Sequence, residues 1–264
     1  MRSPSGPTSS TDDWSSPEPT TKQTLDGPGR WLLWLGRLPE ALIRRLSRID
    51  MHPFYSTHDF PWAKRLEAEA DAILSEAREL LVDTEVLPAF GDISELGLAL
   101  DDKRCWKAYF LTAYGARSAR GLQRCPKTWK ALGAVPGLVT AVFTILEPGA
   151  VLPPHRGPYA GVLRLHLGLV IPNDGDVAIR VGNETRRWES GKVLIFDDTY
   201  RHSAWNHSAH ARVVLFVDFV RPTRFPANAV NRLIIWLARF SPYVRRGARA
   251  LARWEGKTGA RSAP

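Results

Sequence analysis

The sequence predicts a mainly β protein with a flanking helical layer, its strands closed or doubled into a jelly roll. Three observations carry this. Short apolar runs recur from Val135 onward, LVTAVFTIL, VLPPH, GVLRLHLGLVI, VAIRV, RRWE, SGKVLIF and ARVVLFVDFV, separated by PG, PNDGD and GN, and seven or eight strands at that spacing favour a sandwich or barrel. Helical periodicity precedes them, with Leu66, Ala70, Ile73, Leu74, Ala77 and Leu81 on one stripe. At 264 residues and 44% hydrophobic, the chain can bury the core of one domain of catalytic size.

Residues 1–29 are rich in Ser, Thr and Pro, carry Asp12, Asp13, Glu18 and Asp26, and lack the basic-then-apolar order of a signal peptide; a disordered tail is expected. Residues 30–58 open with GRWLLWLGRLPEALIRRLSRI, in which Arg30, Arg37, Arg44, Arg45 and Arg48 interrupt Trp and Leu, a mixture suited to an interfacial helix. Residues 59–135 hold a helix starting near Asp59 and Pro61, a loop with Pro88 and Gly91, the strand WKAYFLTAYG, and a short helix begun at Pro126 and stopped at Gly133. Residues 136–222 form the β core. Residues 223–264 hold two helices broken at Pro242, the first with Val230, Leu233, Ile234, Leu237 and Phe240 on one face, the second with Arg245, Arg246, Arg249 and Arg253. The apolar runs WLLWLG and LIIWLA fall far short of the roughly 20 residues of a spanning helix.

The net charge of +9 is local. From Arg221 to the end there are nine Arg, one Lys and the single acid Glu255, which is 10 − 1 = +9, and residues 1–220 balance. These arginines alternate with Trp236, Leu233, Ile234 and Phe240, a pattern for an anionic membrane surface, not for a nucleic acid read by a basic folded face. Cys105 and Cys125 have neither a disulfide framework nor CxxC spacing, which points to free thiols in the cytoplasm. The expected location is cytoplasmic, peripheral at the inner face of the membrane.

In GVLRLHLGLVI the strand period of two puts Arg164 and His166 on one face with Val162, Gly168 and Val170. An inward guanidinium needs an anion, either a neighbouring carboxylate or an anionic small molecule inside the barrel. His155 closes VLPPHRG, His202 follows IFDDTYRH, and Arg212 begins the last long strand. Two histidines at strand rims suit iron, copper or zinc, and two arginines inside suit an organic dianion beside the metal. A cupin-type metal barrel without oxygenase chemistry would explain the histidines and leave the arginines without an anion; a non-enzymatic surface binder would explain only the tail.

The stretches PPHRGPYAGVLRLHLGLVIP and WESGKVLIFDDTYRHSAWN closely resemble the aspartyl/asparaginyl β-hydroxylase family of iron(II)- and 2-oxoglutarate-dependent dioxygenases, over roughly residues 100–222. The resemblance implies a double-stranded β-helix, O2 as the oxidant, His155 and His202 as iron ligands, and Arg164 and His166 against the metal-bound end of 2-oxoglutarate. It implies Arg212 as the salt-bridge partner of the distal carboxylate, with Thr144 of FTILEPG beside it. Gly157 stands where a facial triad has its carboxylate. The animal members share that glycine, with water filling the site, and an aspartate restored at 157 is expected to be tolerated. Asp197 and Asp198 are rival ligands or, as strand-end residues, turn caps, the role favoured here. Val162 replaces an arginine that the animal members use to hold the target aspartate, while HRGPYAGVLRLHLGL also resembles bacterial lipid acyl-chain 2-hydroxylases, which keep the acidic ligand. The implied acceptor is a peptide or amino acid, or a lipid acyl chain.

Overall fold

A computed structural model describes residues 39–81, 87–93, 101 and 104–261; the expected tail of residues 1–29 and the start of the basic segment lie outside them. Eleven strands are found among the described residues: β1 (Phe54–Tyr55), β2 (Trp106–Ala113), β3 (Ala116–Arg117), β4 (Leu138–Leu146), β5 (Val151–His155), β6 (Val162–Val170), β7 (Asp176–Val181), β8 (Glu184–Arg187), β9 (Val193–Phe196), β10 (His202–His207) and β11 (Arg212–Val220). They form a seven-stranded sheet in the order β1-β9-β6-β11-β4-β2-β3 and a four-stranded sheet in the order β5-β10-β7-β8, with antiparallel ladders throughout. This is the double-sheet jelly roll that the spacing of the apolar runs predicts.

The central strands β4, β6 and β11 of the larger sheet are buried on both faces, which is why they are apolar at most positions. Leu163, Leu165, Leu167 and Leu169 of β6, Phe143 of β4 and Leu215 of β11 face a helical layer. That layer is α1 (Ala63–Ala68), α2 (Ala70–Leu81), α4 (Ala119–Arg124) and α5 (Pro126–Leu132), while the short α3 (Phe90–Ile93) packs into the other core, its Phe90 stacked on Trp106. The opposite face sets Val142, Leu146, Val214, Phe216 and Phe196 against Leu152, Val177, Ile179 and Ala204 of the smaller sheet. The expected single helix from Asp59 is two helices meeting at Glu69, and its stripe of Leu66, Ala70, Ile73 and Ala77 is buried as expected. The carboxylate of Glu76 on α2 accepts from Lys127 N (2.7 Å), Thr128 N (2.8 Å) and Thr128 Oγ1 (2.7 Å), satisfying amide donors that the first turn of α5 leaves open.

Residues 39–45 are helical and packed: Ile43 is fully buried, and buried Glu40 accepts from Ala160 N at 3.2 Å. The described part of the basic segment is therefore held against the β core instead of lying free as an interfacial helix. Two helices follow β11: α6 (Ala227–Ala238) and α7 (Pro242–Arg261), divided at Pro242 as the sequence predicts. Among the described residues no helix is long and apolar enough to cross a membrane.

Candidate active site

His155 and His202 are register partners across the β5–β10 ladder, and their ring centroids lie 4.1 Å apart. His155 Nδ1 donates to Pro153 O at 2.8 Å and His202 Nδ1 to Tyr200 O at 3.0 Å. A carbonyl can only accept, so each Nδ1 carries the proton and each Nε2 keeps its lone pair. Backbone anchors of this kind orient histidine ligands and fix their tautomer. Burial drives His155 down to about 4, with Arg164 adding to the effect against the pull of the Pro153 carbonyl. Burial, then His155 and Arg164, puts His202 well below its ordinary value. Both rings are neutral near neutral pH, the form that binds a metal ion. Among the described residues no three His, Cys, Asp or Glu side chains converge as a metal site, so the arrangement is a histidine pair, not a triad.

The carboxylate of Asp198 occupies the space that a side chain at Gly157 would need. A Cβ there would lie 2.1 Å from Asp198 Oδ2 and 2.2 Å from its Cγ, while Gly157 N donates to Asp198 O at 2.7 Å. The expectation that an aspartate at 157 would be tolerated is thereby corrected. Asp198 is buried and pairs with Arg164 Nη2 at 2.9 Å; burial raises its carboxyl above the usual range against the pull of Arg164, with Asp218 and Asp197 raising it further. Its neighbour Asp197 does act as a turn cap, accepting from Thr199 N at 3.0 Å and Thr199 Oγ1 at 2.6 Å. It also pairs with the buried guanidinium of Arg221.

Arg164 faces into the barrel, and two protein carboxylates meet it: Nε bonds Asp218 Oδ1 at 2.9 Å, and Nη2 reaches Asp198. The first alternative posed by the sequence, a neighbouring acid, holds for these two nitrogens. Asp218 is the register partner of Arg164 across the β6–β11 ladder. Burial opposes the charge of Arg164, yet Asp198 and Asp218 hold the guanidinium above its ordinary value. Its plane also lies over the Phe216 ring, 4.1 Å from the centroid.

Arg212 is the contrasting case. It is buried and points into the same interior, and among the described residues no acid pairs with it. Its contacts are the Trp188 ring, 4.5 Å from the guanidinium carbon to the centroid, and Thr144 Oγ1 at 3.5 Å, and its Nε has no hydrogen-bond partner. Burial alone pushes it down to about 9. His166 is similarly incomplete. Trp188 Nε1 donates to its Nδ1 at 3.2 Å, so the proton of the neutral ring sits on Nε2, and that buried N–H has no acceptor. Trp188 thus touches both groups. Its role is not legible in the sequence, because a lone aromatic before a Glu-Ser-Gly turn offers no periodicity from which to place it.

The barrel interior therefore offers a facing pair of imidazole lone pairs, an unsatisfied neutral N–H donor and an unpaired guanidinium with a hydroxyl beside it. Such a set can bind a divalent metal together with an anion of two carboxylates.

A family model described as aspartyl/asparaginyl beta-hydroxylase matches residues 67–222, reaching back to α1, beyond the span of the sequence resemblance. The ornithine lipid ester-linked acyl 2-hydroxylase of Rhizobium tropici is 41% identical over 261 residues, 92% of this chain and 93% of that protein. The human aspartyl/asparaginyl beta-hydroxylase is 38% identical over 132 residues, 48% of this chain and 17% of that protein. Among solved structures, a cupin domain of a transcriptional regulator from Enterobacter cloacae aligns with a TM-score of 0.31 at 15% identity, covering 44% of this chain and 96% of that one.

Proposed function

The chain belongs to the aspartyl/asparaginyl β-hydroxylase family, and from that premise we propose that it is an iron(II)- and 2-oxoglutarate-dependent hydroxylase of lipid acyl chains. One observation supports the cosubstrate assignment: Arg212, a guanidinium buried with no counter-ion among the described residues, in the interior that the two histidines share. A non-enzymatic barrel or a simple surface binder leaves that charge, and the Nε2–H of His166, without an anion.

His155 and His202 would hold the iron through Nε2, each ring braced by its Nδ1–H on a carbonyl. Arg212 would take the distal carboxylate of 2-oxoglutarate with the Thr144 hydroxyl beside it, and its planar fork suits a carboxylate better than a point charge does. His166 would donate Nε2–H to the metal-bound end of the cosubstrate, its tautomer fixed by Trp188. Arg164 has Nε and Nη2 committed to Asp218 and Asp198, so its contribution at that end rests on Nη1 and on its charge. The bound iron, with O2 and 2-oxoglutarate, supplies the oxidation. One oxygen atom enters the acceptor C–H bond to give C–OH, the other enters succinate, and CO2 leaves. Phe216, Trp188 and Phe196 around these groups exclude water from the interior.

The acyl-chain acceptor is favoured over a peptide by the relative that aligns along nearly the whole chain and by Val162, buried and apolar where a carboxylate-holding arginine would be needed for an aspartyl acceptor.

Arg212→Ala is expected to raise the KM for 2-oxoglutarate by about ten- to a few-hundred-fold, the size of a lost charge-assisted pair of roughly 1.5–3 kcal/mol. Arg212→Lys recovers part of it. Succinate formation against 2-oxoglutarate concentration measures this, and an unchanged KM in Arg212→Ala would place the dianion elsewhere.

A further inference from the structure

The helix that follows the β core turns much of its apolar surface outward. On α6 the residues turned to the protein and buried are Ala227 and Asn231, one turn apart. Asn231 Nδ2 donates to Gly161 O at 2.8 Å, and its Oδ1 accepts from Tyr159 OH at 2.9 Å. Gly161 has no side chain because a Cβ there would lie 2.1 Å from Asn231 Oδ1. The opposite face carries Leu233, Trp236, Leu237 and Phe240, each more than half exposed, with Phe225 exposed just ahead of the helix. Five of the seven large apolar side chains left exposed among the described residues lie in this stretch. Trp236 and Phe240 meet edge to face with centroids 5.0 Å apart, which makes one continuous patch. A contiguous apolar patch with a polar rim marks a surface that meets something else.

The rim is basic. Helical spacing puts Arg232 and Arg239 along one edge of the stripe, both exposed, with the Arg239 guanidinium over the Phe240 ring at 5.2 Å. Arg245, Arg249 and Arg253 of α7 are exposed as well. The only acid from 221 to 264, Glu255, is turned away and bonds the Ser118 hydroxyl, and Trp254 packs edge-on to Tyr109 of β2. α7 is therefore seated on the β core by one face and shows its arginines on the other.

We propose that the outer face of α6, with the exposed arginines of α6 and α7, docks the protein on an anionic phospholipid surface. Arg221 is buried against Asp197, and the remaining residues 222–264 carry eight Arg, one Lys and one Glu, which is 9 − 1 = +8, a charge that complements anionic headgroups and repels a second copy of the same face. The leucines and aromatics suit the headgroup–acyl boundary, where such side chains partition from an in-plane helix. Through Asn231, Tyr159 and Gly161 the docked helix is bolted to the segment that follows His155. The purpose of docking rests on the acyl-chain reading above; the docking itself does not.

The full chain is sedimented with vesicles of phosphatidylcholine alone and of phosphatidylcholine with phosphatidylglycerol. Binding is expected only to the anionic vesicles, weakening as salt rises. Trp236→Ser combined with Phe240→Ser is expected to lower it at least ten-fold while thermal stability and 2-oxoglutarate turnover in solution stay unchanged. Arg232→Gln with Arg239→Gln keeps the apolar stripe and is expected to lose affinity mainly at low salt. Unchanged binding in the Trp236/Phe240 variant, or no binding of the natural sequence, overturns the proposal. So does a concentration-dependent dimer that the same variant dissolves, since the face would then be an interface between copies. Vesicle binding lost in the variant, with acyl lipids never hydroxylated by either protein, would leave docking standing and sink the acyl-chain reading.

Discussion

One missing side chain decides where the buried carboxylate of Asp198 sits. Gly157 leaves a space that Asp198 fills, and Asp198 is in turn locked by Arg164. Gly157→Asp is therefore expected to destabilise the protein by about 1–3 kcal/mol from overpacking, more if Asp198 is forced off Arg164, because a buried charge that loses its partner is expensive. Asp198→Gly introduced with Gly157→Asp exchanges the two positions and is expected to restore part of the loss. Urea unfolding of the two single variants and the pair measures this, and strictly additive effects would mean that the residues do not share one space. The inward orientation of Arg164, His166 and Arg212 is legible in the sequence because a strand repeats every two residues. The partners of Arg164 are less so. Asp218 shares the inward face of β11 with Arg212, but only the β6–β11 register sets it opposite Arg164, and Asp198 arrives from a loop after β9 whose path no periodicity encodes.

At the scale of elements, the short segment between β5 and β6 is held from two sides, by Glu40 on Ala160 N and by Asn231 on Gly161 O. Asn231→Leu leaves the Gly161 carbonyl and the Tyr159 hydroxyl without their partner. It is expected to cost about 1–3 kcal/mol and to increase proteolysis within residues 157–161. Gly161→Ala is expected to produce the same pattern by pushing α6 outward. Limited proteolysis with mass mapping checks both, and protection equal to that of the natural sequence would show that α6 does not anchor this loop. Elements with strong patterns were legible to the residue: β4 coincides with LVTAVFTIL, β5 with VLPPH, and α5 runs from Pro126 to the stop at Gly133. β10 was not, since HSAWNH is polar at four of its six positions and becomes a strand through pairing with β5 and β7. Of the apolar stripe the sequence predicts on α6, Leu233, Leu237 and Phe240 face outward, joined by Trp236, while Val230 and Ile234 are half-buried; which side turns out follows from Asn231, a single polar residue.

At the scale of the whole molecule, Arg212 is a cation buried in the interior with no acid against it among the described residues. Burial lowers Arg212 from the ordinary guanidinium range to about 9. Between that value and the ordinary range the unfolded chain binds more protons than the folded one, so stability rises with pH there, and the penalty is present in full below about pH 9. Arg212→Met removes the charge at similar volume and is expected to be more stable than the natural sequence at pH 7 by about 1–4 kcal/mol in the absence of cosubstrate. 2-Oxoglutarate reverses the order. Under anaerobic conditions with iron(II), at about 100 times its Kd, it is expected to stabilise the natural sequence by roughly 2.7 kcal/mol. For a protein of this size that is about 5–10 °C in Tm, and Arg212→Met should gain little. Thermal unfolding of both proteins with and without 2-oxoglutarate gives the four values. If Arg212→Met is the less stable protein without ligand, Arg212 has a counter-ion of its own in the folded chain and the dianion site loses its main support. If instead the ligand closes or inverts the gap, the interior is built to be completed by its cosubstrate, which explains why a chain with 27 acidic residues sets none against this arginine among the residues described.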